Sequence, residues 1–72
     1  SEDTRYAIEL KDGFEYLKVK STIPDGNEYK KYVVLYMNKD DYTPVIMEIL
    51  DSEDRVSIKI EYTNFVYDAP IE

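Results

Sequence analysis

The stretch YTPVIMEILDSEDRVSIKIEYTNFVYDAP, residues Tyr42–Pro70, places two apolar runs on either side of a short acidic break. Within both runs the residues alternate in character with a period of two, which is typical of β-strands. The break at Asp51–Arg55 carries the Asp and Ser side chains that favour tight turns. The stretch therefore predicts a β-hairpin, in which Pro44 is either the first residue of its strand or lies at an edge, because proline cannot donate a ladder hydrogen bond.

The same alternation runs through the rest of the chain. It predicts five strands, at Arg5–Lys11, Phe14–Ile23, Tyr32–Asn38, Pro44–Leu50 and Val56–Tyr67. The strands should break at Asp12-Gly13, Pro24–Lys30, Lys39–Thr43 and Ser52–Arg55. Gly13 suits the positive φ of a two-residue hairpin turn, and Gly26 is expected to be left-handed as well. Short connections of this kind favour an all-β antiparallel meander with no helix longer than two turns.

Strict alternation divides the side chains between two faces. One face, here called the apolar face, collects Ile8, Leu10, Leu17, Val19, Val33, Leu35, Met37, Val45, Met47, Ile49, Val56, Ile58 and Ile60. At about 25 cal/mol per Å² of apolar surface, leaving this face in water would exceed the stability margin of a small domain. No segment of the sequence predicts a helix that could cover it. We therefore expect a cover from outside these 72 residues.

The other face, here called the tyrosine face, mixes aromatic, charged and aliphatic side chains. Its members are Tyr16, Lys18, Lys20, Tyr32, Val34, Tyr36, Ile46, Glu48, Leu50, Lys59 and Glu61. Patches rich in tyrosine and partly apolar are typical of protein interfaces. The pattern predicts a partner-binding surface formed by Tyr16, Lys18, Lys20, Tyr32, Tyr36, Ile46 and Leu50.

Composition excludes several classes of function. The chain has 72 residues, a net charge of −7, and neither Cys nor His. Nucleophilic triads, imidazole acid–base chemistry, disulfides and the common zinc sites are therefore excluded, and no cofactor or metal is expected. Nucleic acid is an unsuitable partner because phosphate binding needs clustered Lys and Arg. The carboxylate pairs Asp40-Asp41 and Glu53-Asp54 lie in predicted turns, where they suit backbone bonding better than catalysis.

The second half of the chain resembles the LolA/LolB-like lipoprotein family. The resemblance rests on Asp40 in a turn, Pro44 opening a strand, the segment Glu48-Ile49-Leu50-Asp51, and the run from Ile60 to Asn64 followed by Pro70. Among the members it is most similar to the GerS-like spore-germination lipoproteins. The resemblance implies a curved antiparallel half-barrel whose concave apolar face is capped by helices. It also implies a left-handed Asp54, because relatives often have Gly at that position of the turn.

For this chain the resemblance implies that residues 1–72 are the C-terminal sheet of one LolA-like domain, which is not self-sufficient. The cover would be the upstream half of the same protein or a strand-exchanged copy. The implied function is a non-catalytic, extracytoplasmic lipoprotein, anchored to the membrane through an upstream lipidated residue. It would bind and support a spore-cortex N-acetylmuramoyl-L-alanine amidase. The alternative is a LolA-like carrier that binds lipoprotein acyl chains on its apolar face.

Overall fold

A computed structural model describes residues 3–63 of the chain as an open antiparallel sheet. Its strands follow the order of the sequence: β1 (Thr4–Lys11), β2 (Phe14–Thr22), β3 (Tyr32–Asn38), β4 (Pro44–Leu50) and β5 (Val56–Glu61). The predicted five-stranded meander is confirmed, with Pro44 as the first residue of β4. The predicted part of the last strand beyond residue 63, including Phe65 and Tyr67, lies outside the described residues. No helix long and apolar enough to cross a membrane occurs in residues 3–63.

Aspartate occupies three of the positions where the turns need a left-handed backbone. Asp12 (φ 52°) and Gly13 (φ 86°) form the predicted two-residue turn between β1 and β2. Asp54 has a φ of 63°, which confirms the expectation for this position. The prediction for Gly26 is wrong, because the left-handed residue of that loop is Asp25, with a φ of 55°. Gly26 is instead needed for close packing, since a Cβ there would lie 2.5 Å from the backbone oxygen of Lys30.

The register carries the apolar face across all five strands. One row runs through the pairs Tyr6–Val19, Val19–Leu35, Leu35–Met47 and Met47–Ile60, from β1 to β5. Neighbouring cross-strand side chains of this kind are the unit that stabilises a sheet. A second row pairs Ile8 with Leu17 and Leu17 with Met37, and a third pairs Val33 with Ile49 and Ile49 with Ile58.

Two irregularities move residues away from the face that strict alternation assigned to them. The register shifts between Tyr36 and Met37, and Val45 packs against the buried cluster of the tyrosine face. A second shift, between Ile49 and Leu50, pairs Val56 with Leu50 of the tyrosine face. An extra residue in one strand produces such shifts and locally increases the twist of the sheet. Val45 and Val56 are therefore not members of the apolar face in this structure.

The sheet curls strongly towards the tyrosine face. The Nζ atom of Lys11, in β1, lies 3.8 Å from the Oε2 atom of Glu48, in β4. In the register Lys11 lies opposite Phe14 of β2. Glu48 lies opposite Val34, and Val34 lies opposite Lys20 of β2, which is six residues beyond Phe14. On a flat sheet the two Cα atoms would be roughly 25 Å apart, from about 4.8 Å between strands and about 3.4 Å per residue. Two side chains do not bridge that separation, so the tip of the β1–β2 hairpin must bend across the tyrosine face.

The curl reverses one implication of the resemblance, which made the apolar face concave. The buried residues all belong to the tyrosine face: Val34, Tyr36, Ile46, Glu48 and Leu50, with exposed fractions between 1% and 8%. On the opposite face Ile8, Leu10, Ile58 and Ile60 are 40–67% exposed. In the described residues the enclosed side of the sheet is thus the tyrosine face, and the apolar face is the outer one.

Candidate functional site

Aromatic rings and lysine side chains cover the tyrosine face from within the chain. The rings of Tyr16 and Tyr36 meet edge to face, with centroids 6.0 Å apart and an interplanar angle of 75°. The Nζ atoms of Lys11 and Lys18 lie 5.0 Å and 5.8 Å from the centroid of Tyr36, and Lys20 Nζ lies 4.4 Å from that of Tyr32. Ammonium groups at such distances are attracted to the face of the ring. These lysines therefore extend over their own sheet.

Ion pairs hold the lysines in these positions. Lys18 Nζ lies 2.8 Å from Glu9 Oε2 on the neighbouring strand, and Lys20 Nζ lies 2.8 Å from Asp54 Oδ1 in the β4–β5 turn. The hydrogen bond to Glu9 is the main cause of a raised pKa of Lys18, so this side chain stays charged. The bond from Lys20 gives Asp54 a second role: besides forming the β4–β5 turn, its carboxylate connects this turn to β2.

The predicted partner-binding residues separate into two groups in the structure. Tyr36, Ile46 and Leu50 are buried by other residues of this chain, so they form the core of the curled sheet rather than its surface. Tyr16, Lys18, Lys20 and Tyr32 are half-buried and border the surface. Alternation placed all seven residues on one face correctly, but it carries no signal for the direction of the curl. Whether the half-buried group binds a partner stays a prediction.

Lys11 and Glu48 form a pair that the sequence analysis did not single out. The side chain of Glu48 is 9% exposed and that of Lys11 is 25% exposed, while Lys59 lies opposite Glu48 in the register. Glu48 is the one charged residue in the apolar segment Pro44–Leu50, and a buried carboxylate requires a partner. This position in the sequence could have predicted a buried ion pair at Glu48.

Removing Lys11 should destabilise the sheet because it takes away one of the two cations near the buried carboxylate and leaves only Lys59 on the neighbouring strand. Lys11→Met is expected to lower the free energy of unfolding by about 2–3 kcal/mol, somewhat less than the loss typical of fully buried pairs. Urea unfolding, carried out on a soluble form of the chain in which the apolar face is covered, measures the difference in the free energy of unfolding. The double variant Lys11→Met/Glu48→Met should recover most of the loss, because a matched apolar pair replaces the ion pair. A single variant as stable as the wild type would show that this pair does not hold the hairpin in place.

The β3–β4 turn presents a tyrosine in a backbone conformation that tyrosine rarely adopts. Tyr42 has a φ of 61°, and its side chain is 65% exposed. Its N–H donates to the carbonyl oxygen of Asn38 at 2.8 Å, and Asn38 N–H donates to that of Thr43 at 2.8 Å. Asp41 Oδ1 accepts the N–H and the hydroxyl of Thr43, which lowers the pKa of Asp41 and keeps it ionised. The turn was predicted from the sequence, but the exposed and strained Tyr42 was not.

Several carboxylates of the described turns take part in local bonding. No group of three or more His, Cys, Asp or Glu side chains suited to a metal ion occurs between residues 3 and 63. Asp41 and Asp51 bond to their own loops, and Asp51 Oδ1 accepts the N–H groups of Glu53 and Arg55. These bonds, that to Arg55 first, lower the pKa of Asp51. The described residues thus combine an enclosed aromatic core with an open apolar outer face.

Comparison with known proteins gives the family. Residues 1–72 match a family described as "Sporulation protein YdcC-like", and the chain belongs to this family. Among solved structures it is similar to the GerS lipoprotein in the complex with the CwlD amidase from Clostridioides difficile, at 33% identity and a TM-score of 0.72. The similarity covers 88% of this chain and 36% of that chain, so the chain spans about a third of the length of its structural relative. No significant match occurs among curated proteins.

Proposed function

We propose that this chain is part of a non-catalytic protein that binds and supports a cell-wall amidase during sporulation or germination. The observation that supports the proposal most is the similarity to GerS, a lipoprotein solved in complex with the CwlD amidase. Membership of a sporulation family agrees with the same cellular process. In this proposal the amidase acts on spore-cortex peptidoglycan, and the present chain supplies a binding surface.

The side-chain chemistry agrees with a binding role. The whole sequence lacks His and Cys, the residues on which nucleophilic triads and the common zinc sites depend. The proposal assigns any zinc ion and any catalytic carboxylate to the amidase. Exposed tyrosines and an uncovered apolar face are the features that protein interfaces use.

The proposal includes an extracytoplasmic location and a LolA-like architecture. GerS is a lipoprotein, and a lipidated residue upstream of this chain would anchor it to the membrane in the same way. Helices from the upstream half of the same protein, or a strand-exchanged copy, would cover the apolar face. Apolar side chains on that face are in contact with water, for example Ile58 with 40% of its surface exposed, and this exposure supports the need for a cover.

Direct binding to the amidase tests the proposal. The full chain is immobilised, and the CwlD-type amidase of the same organism is passed over it. We expect saturable binding with a Kd of about 1 μM or tighter, as for specific interfaces of ordinary size. An unrelated secreted amidase of similar size and charge is the control and should not bind. Absence of binding by the CwlD-type enzyme would overturn the proposal.

The second candidate function is a carrier of lipoprotein acyl chains. Its support is the continuous apolar row from Tyr6 to Ile60, which contains no charged residue. Native mass spectrometry of the full chain, purified without detergent, distinguishes the two. Co-purified lipid in stoichiometric amount supports the carrier, whereas a lipid-free protein that binds the amidase supports the proposal above.

A further inference from the structure

The exposed Tyr42 has a left-handed backbone conformation that aromatic residues rarely adopt. Four non-glycine residues among residues 3–63 have a positive φ, and the other three are aspartates: Asp12, Asp25 and Asp54. Aspartate tolerates the left-handed region because its short side chain can bond to the nearby backbone. A bulky aromatic residue gains no such bond, and the conformation costs of the order of 1–3 kcal/mol. Glycine or asparagine would suit position 42 better if stability alone mattered.

Packing within the chain does not offset this strain. The side chain of Tyr42 is 65% exposed, so most of its apolar surface remains in water. The surrounding backbone is held firmly by the bonds from Tyr42 N–H to Asn38, from Asn38 N–H to Thr43, and from Asp40 N–H to Asn38 Oδ1 at 2.8 Å. The turn thus fixes the backbone from which the Tyr42 side chain projects, while the side chain remains mostly exposed. A rigid aromatic side chain loses little entropy on binding, which makes tyrosine a common hot-spot residue.

The charges beside the ring indicate what kind of surface it fits. Lys39, Asp40 and Asp41 precede Tyr42, and both aspartates are exposed. They belong to the more acidic half of the chain, in which residues 37–72 carry nine acidic and three basic side chains. Complementary charge around an interface speeds association and fixes its register. An apolar pocket with lysine or arginine at its rim would complement this turn.

We propose that Tyr42 is an aromatic anchor through which the chain binds the amidase, with the ring in an apolar pocket whose rim is basic. The inference rests on the proposed function and adds the site of contact. This role explains the strain at Tyr42. The free chain loses some stability by holding tyrosine in this conformation, and in the complex the ring contributes to the affinity.

Tyr42→Asn, introduced into the protein with its proposed upstream cover so that the sample is soluble, separates binding from stability. The asparagine relieves the left-handed strain, so the melting temperature should rise by about 2–8 °C. Loss of an anchoring ring should weaken amidase binding by about 30-fold or more. A variant that is less stable than the wild type, or that fails to fold, would show a structural role for the tyrosine and overturn the inference.

Tyr29→Asn is the matched control. Tyr29 is 68% exposed and lies in the β2–β3 loop at the other end of the sheet, without a positive φ. Tyr29 forms hydrogen bonds through its backbone: its N–H donates to Asn27 Oδ1, and its carbonyl oxygen accepts from the Ser57 hydroxyl. The substitution keeps both bonds. Amidase affinity should change by less than about 2-fold, the usual effect of residues outside a hot spot.

Asp40→Asn tests the basic rim. The loop bond of Asp40 uses its backbone N–H, so the substitution removes a charge without removing that bond. The association rate should fall and become less dependent on salt, while the dissociation rate changes little. An association rate and salt dependence equal to those of the wild type would overturn the basic rim.

The outcomes separate this inference from the proposed function. If the wild-type chain binds the amidase and Tyr42→Asn binds equally well, the anchor is wrong and the proposed function stands. If the wild-type chain does not bind at all, the proposed function and the inference both fall.

Discussion

Residues 1–72 expressed alone are expected to self-associate or aggregate rather than form a stable monomer of 8.5 kDa. The physical cause is the outer, apolar face, on which Ile8 and Leu10 are 56% and 67% exposed, and Ile58 and Ile60 are 40% and 41% exposed. Residues 3–63 contain no helix that could lie on it. Both β1 and β5 are also open edges in the described sheet, and open edges invite further pairing.

Size-exclusion chromatography with light scattering measures this outcome. In the proposal above, an upstream half of the same protein covers this face, so joining that half to the chain should give a monodisperse species. A control variant of the isolated chain, Ile8→Thr with Leu10→Lys, should reduce self-association by making the exposed part of β1 polar. A monodisperse wild-type monomer with a sharp cooperative melt would show that the chain is self-sufficient.

Local features of the fold were predictable because they depend on near neighbours in the sequence. Alternation located all five strands within one or two residues over the described range, and the Asp12-Gly13 pair identified the first turn. The left-handed Asp54 followed from a resemblance to relatives with Gly in that turn. The loop with Asp25 and Gly26 was harder, because Gly26 serves close packing against the Lys30 carbonyl oxygen while Asp25 takes the positive φ.

The features that failed depend on distant contacts. Alternation separates two faces but does not say towards which one a sheet curls. That direction is visible only in pairs such as Lys11 and Glu48, which are 37 positions apart and meet across the two strands that lie between them. The register shifts that move Val45 and Val56 are equally invisible, because both residues are apolar and suit either face of the sheet. The family similarity, rather than the fold, carries the functional proposal.

Tyr36→Ala is expected to lower the free energy of unfolding by about 3–5 kcal/mol, as for large aromatic residues removed from a core. Tyr36 is 6% exposed and contacts the ring of Tyr16 and the ammonium groups of Lys11 and Lys18, so its removal opens the centre of the curled sheet. Denaturant unfolding of the covered, soluble form of the protein measures the loss. Tyr36→Phe is the conservative control and should cost about 1 kcal/mol, since it removes only a hydroxyl hydrogen bond.

Tyr32→Ala is the comparison that decides the role of the tyrosine face. Tyr32 is half-buried at the margin of the same cluster, so its loss should cost about 1–2 kcal/mol, less than that of a core aromatic residue. The sequence-based interpretation made both tyrosines contact residues, which predicts little loss of stability and weaker amidase binding for each. If Tyr36→Ala keeps the stability of the wild type and loses amidase binding, that interpretation is right, and Tyr36 must leave the core to meet its partner. If Tyr36→Ala instead unfolds the sheet while Tyr32→Ala weakens amidase binding at its small cost in stability, the interface on this face is confined to its half-buried margin, beside the ion pair of Lys20 with Asp54.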